Sequence, residues 1–563
     1  MKKIFLFITI ITCAGLLFTS CEDVLDKENL SAINPDDVWS NESMANAYLN
    51  GIYGAFMPGM PLGTGNYTDE AVSGISAFAY GTATIDSYNN WPYGTIRTIN
   101  FLLENINSGS LTDEQKDPII GQGLFWRAWT YFDMVKAYGG VPLVLNVQDP
   151  ADKEALKVKR NKTSECITQI IEDLDNAIAK LPSSWNNANT GRIDKCAAKA
   201  FKSKVLLFYA SPQFNPENIA SRWQNAYNAA KEAKEYCESQ GKGLYESFSG
   251  IWDDELNKEV IMVRRYNNPG STYFSGGVRP LVYSNGATGQ DQPSLELVEA
   301  FPLIDGTPWN PSTMSFDTIY RHRDERFYAT IAYNGANPYL KDMFDANTRL
   351  WTYRRPDGGA MDGPLPTLTS FYRVKGLDKT IDISAVELTS TDWPEIRFAE
   401  VLMMYGETAN EIGKSDEALQ VLFDIRKRAG IKPGSDGKYG ITASTQAEIR
   451  TAFMNENYLE FAFEGKRWDQ LRRLRQLDVR LNSLKHRHGL IITLKEGETA
   501  PTGMDNVDNY LDRFNITKVE TETIEFDVKD EYYFYGIPKT HIDQNPDLEQ
   551  TLGWDGGTFD PLL

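Results

Sequence analysis

The chain has 563 residues, a formal net charge of −20, 41% hydrophobic and 12% aromatic residues. That balance belongs to a folded globular protein, not a disordered one, and so acidic a chain argues against nucleic acid or an anionic membrane face as partner. Length alone suggests roughly three or four domains, a prior that long helical arrays break.

Residues 1–20 read as a secretory signal. Met1, Lys2 and Lys3 precede an apolar run from Ile4 to Phe18 that Thr9, Thr12 and Gly15 interrupt, and the run falls short of the ~20 apolar residues of a spanning helix. Losing Lys2 and Lys3 with it takes the net charge from −20 to −22. The run ends in Leu16-Leu17-Phe18-Thr19-Ser20-Cys21, which resembles a bacterial lipobox with Cys21 as the acylated residue and Phe18 where Leu is usual. Each buried acyl CH2 adds ~0.8 kcal/mol of membrane affinity, so several chains on Cys21 would anchor a soluble domain to the outer membrane without a transmembrane helix. Cleavage near Ser20 that leaves a free Cys21 thiol is the alternative. Glu22, Asp23, Asp26 and Glu28 resemble an export signal to the outer face of the outer membrane; they also read as a solvated linker. Residues 21–34 are expected to form a lipidated tether.

Residues 35–244 read as helices. Leu49, Ile52, Tyr53 and Phe56 fall on one helical face, and Ile96, Ile99, Leu103 and Ile106 repeat the spacing. A longer pattern from Ile120 to Tyr138 closes at Gly139-Gly140 and Pro142, and another from Ile167 to Ile178 stops before Pro182. Two more helices are predicted near 194–210 and 222–240, the second alternating Trp223, Ala226, Tyr227 and Ala230 as stacked hairpins do. Trp126 and Trp129 stand among apolar neighbours and read as core.

Between residues 245 and 394 Gly, Pro, Asn, Asp and Tyr dominate, with turn signals at 268–270, 275–277 and 357–359. Val260–Val263 reads as a short strand. A long stretch without periodicity inside a compact domain is usually functional. In residues 395–563 helices return, predicted at 395–413, 415–429, 445–464 and 466–484. The fold class predicted is mainly α: TPR-like, α-solenoid-like helical hairpins in a single compact domain carrying a large loop-rich insertion.

Residues 393–405, Trp-Pro-Glu-Ile-Arg-Phe-Ala-Glu-Val-Leu-Met-Met-Tyr, resemble the Arg-Tyr-Ala-Glu-Val-Leu-Leu-Met-Tyr helix of the SusD/RagB family of nutrient-binding lipoproteins. Ile425 to Gly430 matches its Ile-Arg-x-Arg-Ala-Gly, and Leu459 to Asp469 with Leu471-Arg472-Arg473 resembles its most characteristic segment. Pro293–Gly306, Arg323–Ile331, Tyr138–Leu143 and Ile537-Pro538 with Asn545–Leu548 add matches in the expected order across the mature chain. The resemblance implies a cell-surface lipoprotein that captures an oligosaccharide for a SusC-like TonB-dependent transporter, without catalysis or cofactor; peptide cargo of the RagB type is the alternative. Glu400, Arg426, Arg428, Glu460, Glu464 and Arg467 are expected to pair across packed hairpins and fix geometry.

A neutral sugar presents an apolar C–H face and a rim of hydroxyls, which calls for aromatic faces with polar handles on well-placed loops. Two loops fit. The segment from Tyr67 to Trp91 carries Asp69, Tyr80, Tyr88, Asn89, Asn90 and Trp91; the segment from Tyr273 to Trp309 carries Arg279, Tyr283, Asn285, Gln290 and Trp309. In the family, glycan sites resemble such a shelf, built from an early loop and the central insertion. Trp91 leads the candidates; packing under its own loop is the other reading, as core packing is for Tyr283 and Trp309.

Catalytic and metal motifs are missing. There is no HExxH, GxSxG or Walker loop. His486 and His488 are two residues apart, which does not suit chelation on a helix, and Asp505, Asp508 and Asp512 lack EF-hand spacing. Cys166, Cys196 and Cys237 read as buried free thiols. A glycoside hydrolase would need two carboxylates ~5–9.5 Å apart; Asp69, Asp253 and Asp254 are candidates, yet no segment resembles a hydrolase. A structural or adhesive surface protein is a third reading.

Overall fold

The structure is a computed structural model that describes residues 35–72, 74, 76–280, 289–337, 349–363, 367–501, 508 and 510–563. Cys21, the tether, Tyr283, Asn285 and Asp505 lie outside the described residues.

After a single turn of helix at Pro35–Val38, six longer helices precede the insertion: α1 (Glu42–Phe56), α2 (Tyr93–Asn105), α3 (Asp113–Tyr138), α4 (Thr163–Lys180), α5 (Lys195–Ala210) and α6 (Ala220–Ser239). After it come α7 (Phe398–Glu411), α8 (Ser415–Arg428), α9 (Gln446–Glu460) and α10 (Arg467–Arg473), then two short helices at Leu477–Leu484 and Lys539–Gln544. From α2 to α9 each helix packs on the next, including α6 on α7 across the insertion. The protein is therefore mainly helical, a row of antiparallel hairpins that the insertion interrupts in sequence and leaves continuous in space.

Local chemistry sets the helix ends. The Asn41 side chain accepts from the backbone N–H of Ser43 (3.0 Å) and Met44 (3.2 Å), capping α1, and Asp194 caps α5 through Ala197 (2.9 Å). Helix α3 is buried on nearly every side from Ile119 onward, so it shows no clean amphipathic stripe. It stops at Gly139, whose φ of +77° suits glycine. A Cβ on Gly140 would lie 1.9 Å from the Asn161 carbonyl oxygen.

The structure corrects two predicted helices. Residues 393–397 form strand β6 (Trp393–Arg397), paired antiparallel with β2 (Val260–Arg264), and α7 begins only at Phe398. The predicted helix 466–484 is two pieces, α10 and Leu477–Leu484, divided where Arg475 turns to φ +54° to reach Asp530 and lie over Tyr533. The other described strands also pair in twos: β1 (Ala71–Val72) with β3 (Gln292–Pro293), β4 (Ile331–Ala332) with β5 (Tyr372–Arg373), and β7 (His488–Leu494) with β8 (Phe514–Glu520). Pairing of β1 with β3 ties the loop between α1 and α2 to the insertion.

A buried charge network joins insertion and helices. Arg397 reaches Glu259 (2.7 Å), Glu460 (2.7 Å) and Glu464 (2.8 Å). Arg428 shares Glu259 and Glu460; Arg326 meets Asp324, Glu456 and Glu460; Lys375 meets Glu464 and Arg426 meets Glu456. Cations and carboxylates are equal in number in this set, which is the condition for keeping buried charge without an unpaired ion.

Candidate ligand-binding site

The loop between α1 and α2 is clamped from beneath. Asp69 is fully buried, with its two oxygens on Arg467 (2.9 and 2.8 Å), one of them also on Arg480 (2.7 Å), and its carbonyl oxygen accepting from the Tyr458 hydroxyl (2.7 Å). Burial alone would raise its pKa; the two guanidiniums outweigh burial and hold it at about 2. Asp69, expected among ligand contacts, is instead the anchor of the loop.

Two adjoining cavities open beside this clamp. The outer one, about 580 Å³, is walled by the rings of Tyr67, Phe78, Tyr88, Trp468 and Tyr535, with the hydroxyls of Thr64, Ser76 and Ser87 among them. Tyr67 is 45% exposed and meets Trp468 edge-on at 6.5 Å. Phe78 and Tyr88 lie 4.5 and 4.7 Å from Tyr535, and the Trp468 indole N–H donates to the Tyr535 hydroxyl at 2.8 Å. The rings are thus held by one another before any ligand arrives.

The inner cavity, about 640 Å³, lies among α3, α5, α7 and α10 over an aromatic floor that includes Trp129, Phe132 and Phe201. Trp129 stacks on Phe201 at 4.6 Å. Lys204 (3.1 Å) and Lys466 both pair with Glu400 at its rim, and these lysines overcome burial to hold Glu400 at about 2. Both volumes fall within the ~300–1,000 Å³ usual for small-molecule sites.

Glu70, Asp133, Lys136, Arg467 and Asp469 line both cavities. Lys136 sits between Asp133 (3.0 Å) and Asp469 (2.7 Å). Burial disfavours its charge, and the two carboxylates overcome that and raise its pKa beyond the ordinary lysine range. Asn90 donates to Asp133 at 3.1 Å. Glu70 is 2% exposed and accepts from the Phe463 N–H at 3.2 Å; burial pushes its pKa up to about 8. Rings beside hydrogen-bonding groups of both senses suit a ligand with apolar C–H faces and many hydroxyls.

Of the ligand contacts expected from sequence, Tyr88 and Asn90 line the cavities without being fixed in the loop clamp. Trp91 is half-buried at the start of α2, stacked on His541 at 5.2 Å and edge-on to Tyr138 at 5.5 Å, and lines neither cavity. Tyr80 is buried, stacked on Phe526 at 5.5 Å and accepting from Arg487 at 3.1 Å. Trp309 is 4% exposed, packed near Phe316 and Arg323. Arg279 is fully buried, its pKa lowered to about 10 by burial, with one N–H directed to the Asp378 carbonyl at 3.4 Å. Asp253 pairs with Lys379 and Asp254 accepts from Tyr245 at the surface.

Sequence reasoning missed Trp468, Tyr535 and Lys136. Trp468 lies in a segment read as wholly structural, and its position in the first turn of α10, next to the exposed Gly465, was the available signal. Among the described residues no group of His, Cys, Asp and Glu is placed to hold a metal ion, and no helix is long and apolar enough to cross a membrane.

A model of the SusD family matches residues 251–554, and one described as starch-binding associating with outer membrane matches residues 26–207. SusD-like protein P2 of Formosa agariphila is 25% identical over 406 residues, 68% of this chain and 71% of that one. A SusD-like protein from Bacteroides fragilis superposes with a TM-score of 0.75 at 25% identity, covering 94% of this chain and 100% of its own. A SusD-like carbohydrate binding protein from the same species gives a TM-score of 0.71 at 21% identity, covering 91% and 100%.

Proposed function

Because this chain belongs to the SusD family, we propose that it captures oligosaccharides at the bacterial surface and passes them to a SusC-like TonB-dependent transporter. Cys21 would carry the lipid that holds it to the outer membrane. The observation that carries this reading is the outer cavity: an exposed Tyr67 and a half-buried Trp468 over a wall where Asp133, Lys136 and Asp469 offer acceptors and donors. Sugar rings would lie against the aromatic faces while their hydroxyls bond to that triad. The rings already brace one another, so little side-chain freedom is lost on binding. The arrangement holds a ligand without chemistry on it, and we assign no catalytic residue.

Calorimetric titration against malto-, laminari- and manno-oligosaccharides and short peptides tests this. Saturable binding of a sugar, lost in Trp468→Ala and accompanied by no new reducing ends, is the expected result. Peptide binding with none of any sugar would overturn the cargo, and sugar cleavage would overturn the absence of catalysis. For the anchor, Cys21→Ser is expected to move the protein from the membrane fraction to the soluble one.

A further inference from the structure

Resting on that reading, we propose that the outer cavity takes uncharged sugars and turns away glycans bearing carboxylate or sulfate, with Asp133 and Asp469 around Lys136 as the discriminating residues. Three cations line this cavity, and each is already engaged. Lys136 lies between Asp133 and Asp469. Arg467 is bound at two points by Asp69. Arg472 donates to the carbonyls of Lys136 (2.9 Å) and Tyr533 (2.6 Å), lies over the Tyr535 ring at 4.4 Å, and has Asp469 at 3.9 Å.

Two carboxylates stay open to the cavity at its wall. One ammonium serves both Asp133 and Asp469, whose side chains stay 44% and 27% exposed. An anionic sugar would meet like charge with no cation to claim, which is selection by repulsion. A hydroxyl meets no such penalty, since it can donate to either aspartate. In the inner cavity these cations are likewise engaged, with Lys204 and Lys466 on Glu400 and Arg473 on Glu407. Arg264 is different: its guanidinium rests on the Met57 carbonyl (2.6 Å) and over Tyr266 (5.2 Å).

The test titrates the purified protein with malto-, laminari- and manno-oligosaccharides, each beside its C6-oxidised, carboxylate-bearing counterpart, and with alginate and pectin oligomers. A neutral member should bind at least about tenfold more tightly than its oxidised form. Its affinity should stay level from about 0.01 M to about 1 M salt, over which the screening length falls from about 30 Å to about 3 Å. Asp133→Asn combined with Asp469→Asn frees Lys136 and should narrow the gap about tenfold; an unchanged gap, in a variant that melts as the wild type does, would overturn the residue assignment. Tighter binding of any oxidised or uronate oligomer, weakening with salt, would overturn the inference while leaving sugar capture intact. Arg264→Gln would show whether that anion site lies in the inner cavity. Failure of every sugar, charged or neutral, would overturn the capture reading itself.

Discussion

At the scale of single residues, Glu70 and the rings around it separate ligand binding from stability. The carboxyl of Glu70 moves from an ordinary 4.5 to about 8 because burial removes its water and outweighs the charge of nearby Arg467. Between those values the unfolded chain is ionised and the folded one holds its proton, so stability is full below about 4.5 and is lost as pH rises toward 8, by at most ~1.4 kcal/mol per pH unit. Glu70→Gln keeps an acceptor for Phe463 and removes the titration. Its stabilising advantage over wild type should therefore grow from pH 4.5 to about 8 and then level off; parallel melting-temperature curves would contradict a protonated Glu70. Tyr67 and Trp91 divide the other way. Tyr67 is nearly half exposed and meets Trp468 only edge-on, so Tyr67→Ala should cost about 0.5 kcal/mol of stability while weakening sugar binding. Trp91 is packed on His541, Tyr138 and Tyr93, so Trp91→Ala should cost roughly 2–3 kcal/mol and leave the titration nearly unchanged.

At the scale of elements, Arg397 is the joint between strand and helix. It ends β6, precedes the first residue of α7, and holds Glu259 from just before β2, Glu460 from the end of α9, and Glu464 beyond it. Arg397→Met would leave these carboxylates buried with one partner fewer, a change that costs about 3–5 kcal/mol when a buried pair is broken from one side. Urea unfolding at neutral pH reads this directly, and a loss under about 1 kcal/mol would mean the network adds little. The same joint explains a misread segment. The apolar spacing of residues 393–405 runs unbroken from strand into helix, and local pattern does not reveal where one gives way to the other. Pairing of Trp393–Arg397 with Val260–Arg264 decides it, and that partner is far away in sequence.

For the whole molecule, the insertion is fastened to the helical row by the β2–β6 pair, the β1–β3 pair and the shared charge network. It has its own buried clusters around Phe301, Phe327 and Phe371 and around Phe248 and Trp393, yet the first of these also contains Tyr458, Leu459 and Phe463 from α9 and the turn after it. Core residues contributed from both sides make separate melting unfavourable. Scanning calorimetry should give one transition with calorimetric and van't Hoff enthalpies equal; two resolved peaks would show that the insertion unfolds independently.

The sequence by itself determined the helical class, most helices of the row, the irregular insertion and the pairing of Glu460, Glu464, Arg426 and Arg428, because amphipathic spacing, glycine and proline stops and charged residues inside apolar helices are local signals. The lining of the proposed site was legible only in part. Tyr88 and Asn90 were found from an aromatic, glycine-spaced loop, but Asp69, Tyr80, Arg279 and Trp309 share that composition and are buried. Exposure is a property of what packs on a residue, and for Asp69 that is Arg467 and Arg480, some four hundred positions away. Trp468, Tyr535 and Lys136 come from α10, the closing segment and α3. Only the tertiary structure could bring them to one cleft, because the contacts that decide which face of a ring stays open are made between distant parts of the chain.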